Sequence, residues 1–516
     1  MKHFKRLLVL VLAAAMSLTL FACGGESDGT TAPADSSSET TTAADVEKTY
    51  DKVVYAYATF NNIPSAEAKA DVEEAINEIT REKIGAEIEL MPIAIWDYAS
   101  QVSLALQGGD KIDVFQSLGD FPNAIASDMA YDLTDLVEEY APGSLELFSE
   151  GWLDACRAEG RLFGIPTMKP IALTPMVIFR QDIADELNID MSKVKSVYDM
   201  TEIFQQIKAA RPELTPLAPV STGDLGLIRT IDELDTLGDD MFNPMGIMHG
   251  KELEVKNPYA LDEFASLAEL ARTWFSEGLV MKDAATTTSD AAELMSSGNY
   301  FCYIASYSYS EEDTAAAMEA QTGGFDLGAK KVGEAYLKTA DINALTWMVS
   351  STSDVPESAL QFIDLTMTDP NVTNLLIYGI KDRDYVLSDA GQMSYPEGQD
   401  ATTVPYTAQL SCGTLGNYFI MYPMEGTSPD SIKWEQEQNV SARMSPAMGF
   451  TFDSSKTKTE YTAVINVIQQ YLPGLMCGSV DPTTELPKFL ERLEEAGLGK
   501  IISEKQTQLD AWASAN

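Results

Sequence analysis

Covalent catalysis needs nucleophiles, bases or metal ligands at set spacings, and this chain is poor in them. It carries two histidines in 516 residues, His3 and His249. That removes the usual Ser-His-Asp triads, the HExxH zinc helix and most transition-metal sites. Besides Cys23, the cysteines Cys156, Cys302, Cys412 and Cys477 are far apart with no CxxC pair. They read as buried free thiols rather than a disulfide framework. No Walker A and no GxGxxG occurs, so no cofactor and no metal is expected. Among 79 acids a carboxylate pair can always be imagined, so acid content alone says nothing for hydrolysis.

What remains is recognition chemistry, carried by aromatic rings and hydrogen-bonding groups near predicted strand ends. Trp96 and Tyr98 lie just past a strand, where an aromatic either stacks on an apolar ring face of a ligand or caps the next helix. Tyr307 lies beyond a later strand, while Tyr303 within it reads as core. Trp347 and Trp434 are further candidates, the first equally a core anchor, the second in the polar helical stretch SIKWEQEQN. Trp152, Trp274 and Trp512 read as packing residues. Asn61, Asn62, Ser117 and Asp120 can hydrogen-bond hydroxyls, although such residues are more often plain turn formers. Arg180 offers a forked grip on a carboxylate, set against a salt bridge to one of the many acids.

The elements that position these residues follow from pattern. VVYAYATF is a strand ending near Phe60. Ser65 caps a helix with Val72, Ala75, Ile76 and Ile79 at helical spacing, and Gly85 stops it. AEIELMPI alternates as a second strand to about Ile93. Tyr98, Val102, Ala105 and Leu106 mark another helix, closed by Gly108-Gly109, and KIDVFQS is a third strand. Strand-helix-strand-helix-strand with short links predicts βαβ units in a parallel sheet. Ligands sit beyond the carboxyl ends of such strands. The pattern restarts at TPMVIFR, and YFCYIASYSY and DINALTWMVSS are later strands. Residues 257–278 are predicted helical, as is SDVPESALQFIDLTMTDP, with Pro356 just inside its start and Pro370 beyond its end.

The N-terminal residues speak to compartment. Lys2, Lys5 and Arg6 precede the apolar run Leu7–Phe21, then Ala22-Cys23-Gly24-Gly25. This reads as a secretory signal over residues 1–22, shorter than a membrane span. LFAC resembles the lipobox of bacterial lipoproteins, which implies acylation of Cys23; the alternative is an ordinary signal with an incidental cysteine. Residues 23–48, rich in Ser, Thr, Ala and acid, cannot offset their ordering entropy and read as a disordered tether. A formal charge of −44 argues against nucleic acid and anionic lipid as partners. Apolar content of 45% and aromatic content of 9% are globular values.

Longer stretches carry a further resemblance. GGDKIDVFQSLGDFPNAIASDMAYDLTDLVEEY, then RLFGIP with VIFRQDIADELNID, then MSSGNYFCYIASYSYS and LTWMVSSTSDVPESALQFIDL, resemble in that order the family 1 extracellular solute-binding proteins of ABC importers. NLLIYGIKDRDYVLSDAGQMSYPEG, GNYFIMYPMEG and SPAMGFTFD resemble a subgroup with an extra C-terminal region of unassigned function. The resemblance implies an α/β, two-lobed periplasmic-binding-protein-like fold, each lobe a mainly parallel sheet flanked by helices. Lobe 1 is expected over residues 49–168 and 341–420, lobe 2 over 169–340 and 421–516. A multi-crossing hinge near Gly164–Leu173 and Lys338–Leu345 joins them. It further implies a monomer that closes on a small ligand, a sugar, and presents it to importer permease subunits. Many relatives have Tyr-Asn-Lys-Asp where this chain has Phe179-Arg180-Gln181-Asp182, a departure that puts the carry-over of sugar contacts at that loop in doubt. The competing functions are a tethered glycan-degrading enzyme and a binding protein for peptides or other polar solutes.

Overall fold

The computed structural model describes residues 48–60, 63–408 and 414–515. Cys23, Asn61, Asn62 and Cys412 lie outside the described residues, as do the expected signal and nearly all of the tether. The chain from Tyr50 onward forms one unit.

The opening alternation folds as its pattern predicts. The strand Asp51–Thr59 is followed by the helix Ala66–Lys83, whose N-cap Ser65 accepts a hydrogen bond from the Ala68 amide. That helix buries Val72 and Ile76 on its inner face. The strand Ala86–Ala94 pairs in parallel with the first along its whole length, from Asp51↔Ala86 to Thr59↔Ala94. The helix Ile95–Gly108 ends at Gly109, whose φ of 79° is a left-handed turn that glycine adopts without strain. The strand Val114–Gln116 joins the same sheet in parallel.

Two strands complete this sheet from elsewhere. Thr346–Val349 runs antiparallel to Val114–Gln116 and to Ile165–Pro166. A second sheet orders Leu327–Lys331, Thr174–Arg180, Tyr300–Tyr307 and Thr215–Leu217. Here the expectation of a mainly parallel sheet fails, since only Tyr300–Tyr307 with Thr215–Leu217 is parallel. The link from Thr174–Arg180 to Thr215–Leu217 contains two helices, Gln181–Glu186 and Met200–Ala210. Register sets Thr215 beside Tyr300, at the end where Arg180 leaves the sheet, so the connection returns to the end it left. The two strands therefore run in opposite senses, whereas a single crossover helix would have made them parallel. The helix Pro356–Thr368 begins at Pro356 and ends before Pro370 as expected, and Pro370 in turn opens a further helix, Pro370–Tyr378.

The apolar core divides with the sheets. One cluster is built from residues of 53–172 and 335–421, with Trp347, Tyr55 and Phe362 at its centre. A second large one draws on residues of 177–304 together with the C-terminal helices Lys458–Met476, Pro482–Ala496 and Leu498–Ala515. Two smaller ones centre on Met176, Ile178 and Tyr303 and on Met248 and Phe450. Trp274 is buried in the second large cluster and donates its indole N–H to the Thr201 hydroxyl at 2.9 Å.

Candidate ligand-binding site

The carboxyl ends of Asp51–Thr59, Ala86–Ala94 and Val114–Gln116 share one edge of the first sheet. Register puts Thr346, where a strand starts, and Pro166, where one ends, at that edge too. In the second sheet Thr174 opposes Tyr307, and Lys331 opposes Met176, so one edge again gathers chain entry, chain exit and Tyr307. Residues 167–173 and 332–345 connect the two edges. The shorter link cannot part them by more than ~30 Å, the reach of its extended backbone. The Thr167 amide donates to the Leu345 carbonyl at 3.0 Å, so the two links are tied together. A third passage is marked by Arg443–Met444, paired in parallel with Tyr336–Leu337. Ligands of open α/β sheets bind at such edges.

The predicted residues distribute unevenly about this edge. Trp96, in the first turn after Ala86–Ala94, is 89% exposed. Asp120 is exposed and accepts a hydrogen bond from the Asn123 side-chain amide at 3.0 Å. Tyr307 is half-buried, its hydroxyl 2.8 Å from that of Tyr303, with burial raising its pKa above the ordinary phenol value. Trp434 is half-buried on the helix Pro429–Ser441.

Four expectations are corrected. Tyr98 is buried; its hydroxyl donates to the Ala56 carbonyl at 3.0 Å and accepts from the Gln116 amide at 2.8 Å. It bolts the helix to two strands, and burial raises its pKa. Ser117 is buried, donating to the Asn343 carbonyl and accepting from the Thr346 amide, so it joins strand ends. Trp347 is fully buried and stacked on Tyr55 at 4.5 Å between ring centroids. Arg180 ends the strand that Thr174 begins, ~20 Å from the edge at the usual rise per residue. Its guanidinium grips Asp182 at 2.7 and 2.5 Å and lies 3.7 Å over the Phe325 ring. That is the salt bridge set against ligand contact.

Other groups near the edge were not singled out from sequence. Arg229 pairs with Asp224 at 2.9 Å, lies 4.7 Å over the half-exposed Phe242 ring, and acts electrostatically on Tyr307. The helix Pro429–Ser441 buries Ser431, Glu435 and Asn439, a polar stripe at fourfold spacing, while Val440 is 82% exposed. A stripe of polar residues four apart, on a helix with little apolar content, was the available signal. Asn439 accepts from the Ile171 and Ala172 amides and donates to the Lys169 carbonyl, so this helix is fastened to the link at 167–173. Burial pushes the Glu435 carboxyl up to about 7. Among the described residues no group of three or more His, Cys, Asp or Glu is placed to hold a metal ion. Nor, among them, is any helix long and apolar enough to cross a membrane.

Comparisons with known proteins agree with this architecture. Residues 74–380 match the model of the family described as bacterial extracellular solute-binding protein. Residues 446–514 match a domain of unknown function, DUF3502. A carbohydrate ABC transporter substrate-binding protein of Streptococcus pneumoniae is 22% identical over 84% of this chain and 86% of its own length. The crystal structure of the N-glycan transport solute binding protein NgtS of Streptococcus pneumoniae superposes with a TM-score of 0.72. It is 20% identical, covering 89% of this chain and 98% of that one. An ABC-transporter-associated solute-binding protein of Bifidobacterium longum infantis, described as HMO binding, gives a TM-score of 0.61. There identity is 14%, with 90% and 99% covered. With the family model spanning more than half of its length, the chain belongs to the bacterial extracellular solute-binding proteins.

Proposed function

We propose that this protein captures an oligosaccharide outside the cell and delivers it to the permease of an ABC importer, with no covalent chemistry of its own. The observation that carries the reading is that each sheet gathers the connecting links at one edge, with Trp96 just past a strand end in the first sheet and Tyr307 at a strand end in the second. A sugar ring presents C–H faces to aromatic surfaces and hydroxyls to polar groups. The relatives named above as carbohydrate binders support the choice of ligand class. Residues 49–168 with 341–420 and 169–340 with 421–516 act as two lobes that close about the links.

A thermal-shift screen of Man5GlcNAc, kestose and other neutral oligosaccharides against short peptides tests this reading. NgtS has been crystallised with Man5GlcNAc, and the Streptococcus pneumoniae protein FusA with kestose. A true ligand at a hundred times its Kd adds about 2.7 kcal/mol of stability. A response confined to peptides refutes the carbohydrate assignment, and release of reducing sugar would reveal a glycan-degrading enzyme. With a responding oligosaccharide, Trp96→Ala should weaken binding roughly thirtyfold, the usual ~2 kcal/mol of an aromatic hot spot. Its melting temperature should stay put, because the indole is almost wholly exposed.

Anchoring through Cys23 belongs to the same proposal. Cys23→Ser should leave the fold intact and move the protein from the membrane fraction to the medium. A diacylglyceryl group supplies the two chains that stable anchoring needs. A Ser variant that still pellets with membranes would refute it.

A further inference from the structure

Glu435 is 1% exposed, and neither carboxylate oxygen makes a hydrogen bond of ordinary geometry. Among the described residues it forms no ion pair. A buried carboxylate left this way costs several kcal/mol, and native proteins seldom keep one without a use. One turn further on, the Asn439 amide is fully spent on the link at 167–173. The same polar stripe therefore ends in a fastened amide and an acid whose near partner is the Tyr418 phenol.

The surroundings of the acid come from the first core cluster and from the segment after the strand Tyr300–Tyr307. Tyr418 is the phenol near enough to hold the carboxyl back from a larger rise, and its own amide donates to the Met168 carbonyl at 2.7 Å. From the second sheet come Asp313, which pushes the carboxyl up, and Tyr309, which acts on Tyr418. Both follow the strand Tyr300–Tyr307, and Asp313 is held by the Ser310 hydroxyl in the first turn of the helix Glu311–Glu319. On its own helix the charged neighbours are Lys433 and Glu437, an exposed pair 3.7 Å apart. Glu435 thus sits where the two edges come together, among phenols and one other acid.

We infer that Glu435 is a ligand-binding residue, whose two carboxylate oxygens accept hydrogen bonds from adjacent hydroxyls of a neutral sugar. This rests on the carbohydrate reading above. An ionised carboxylate is acceptor-only, with about four lone-pair sites on two oxygens, and hydroxyls are the donors a neutral sugar has to give. Such charge-assisted bonds are roughly twice as strong as neutral ones. Donors to the ionised form lower a carboxyl's pKa. Sugar binding therefore expels a proton, and affinity rises with pH up to about 7, where the free carboxyl titrates, and levels off above.

The experiment uses the full chain, wild type and Glu435→Gln, titrated calorimetrically with Man5GlcNAc and with kestose at pH 5.5 and pH 8. Wild type should bind at least tenfold more tightly at pH 8. The Glu435→Gln variant should bind at least tenfold more weakly than wild type at pH 8 and lose the pH dependence. Equal affinity of the two, or a pH dependence that survives in the variant, overturns the inference. Melting without sugar gives a second readout. A carboxyl raised by folding makes the folded state bind more protons than the unfolded, so its presence lowers stability as pH climbs from about 4.5 through 7. The variant should match wild type at pH 5 and melt higher at pH 8. A variant melting lower at pH 8 marks a structural acid and overturns the inference as well. If neither sugar binds wild type, the carbohydrate reading fails on its own, and the melting comparison still decides whether Glu435 is strained for binding or built into the fold.

Discussion

Trp347→Ala is expected to destabilise the protein by about 3–5 kcal/mol, the usual loss for truncating a fully buried tryptophan. Its indole is completely buried, stacked on Tyr55 with planes 25° apart. Tyr55 in turn meets Phe362 edge-on at 5.1 Å. The strand that carries Trp347 also closes the first sheet between Val114–Gln116 and Ile165–Pro166. A cavity here therefore loosens the sheet beside both links. Chemical denaturation, with the slope checked for constancy, measures the effect. Unchanged stability with lost sugar affinity would return Trp347 to the ligand.

The second large effect lies in the C-terminal region. Lys505 is wholly buried on the helix Leu498–Ala515, its ammonium 2.7 Å from Asp239 and bonded to the Thr236 and Gly246 carbonyls. Burial holds its pKa below the ordinary lysine value, with Asp239 opposing. Lys505→Ala strands Asp239, whose remaining donors are the Tyr461 hydroxyl and the Met245 amide. Removing one partner of a buried pair costs about 3–5 kcal/mol. The double variant Lys505→Met with Asp239→Asn should recover much of that, because no unpaired charge remains. A melting curve for Lys505→Ala close to wild type, or a double variant worse than the single, would show that the pair does not hold the helix in place.

Local sequence pattern carried the grammar of single elements and neighbouring pairs. Ser65, Gly109 and the alternation over residues 51–116 act within one element or between neighbours, so capping, left-handed turns and parallel pairing were all legible there. Tyr98 was legible as core too. It shares a helical stripe with Val102 and Leu106, and Trp96, two residues earlier, falls on the opposite side. The order of longer stretches carried the two-lobed class.

Tertiary structure decided which side chains reach the candidate site. Trp347 is core because Tyr55 and Phe362 arrive from distant parts of the chain, and nothing near Trp347 announces them. Arg180 looked available until register put it at the far end of its strand. The sense of the second sheet depended on a link with two helices, which composition does not resolve into an odd or even number of reversals. Glu435 looked like one more solvated acid in a polar helix. Its burial comes from Tyr418 and the segment after Tyr307, brought together by links that cross between the sheets. Burial and charge environment are sums over neighbours in space, and for residues at the meeting of two lobes those neighbours are the most distant in sequence.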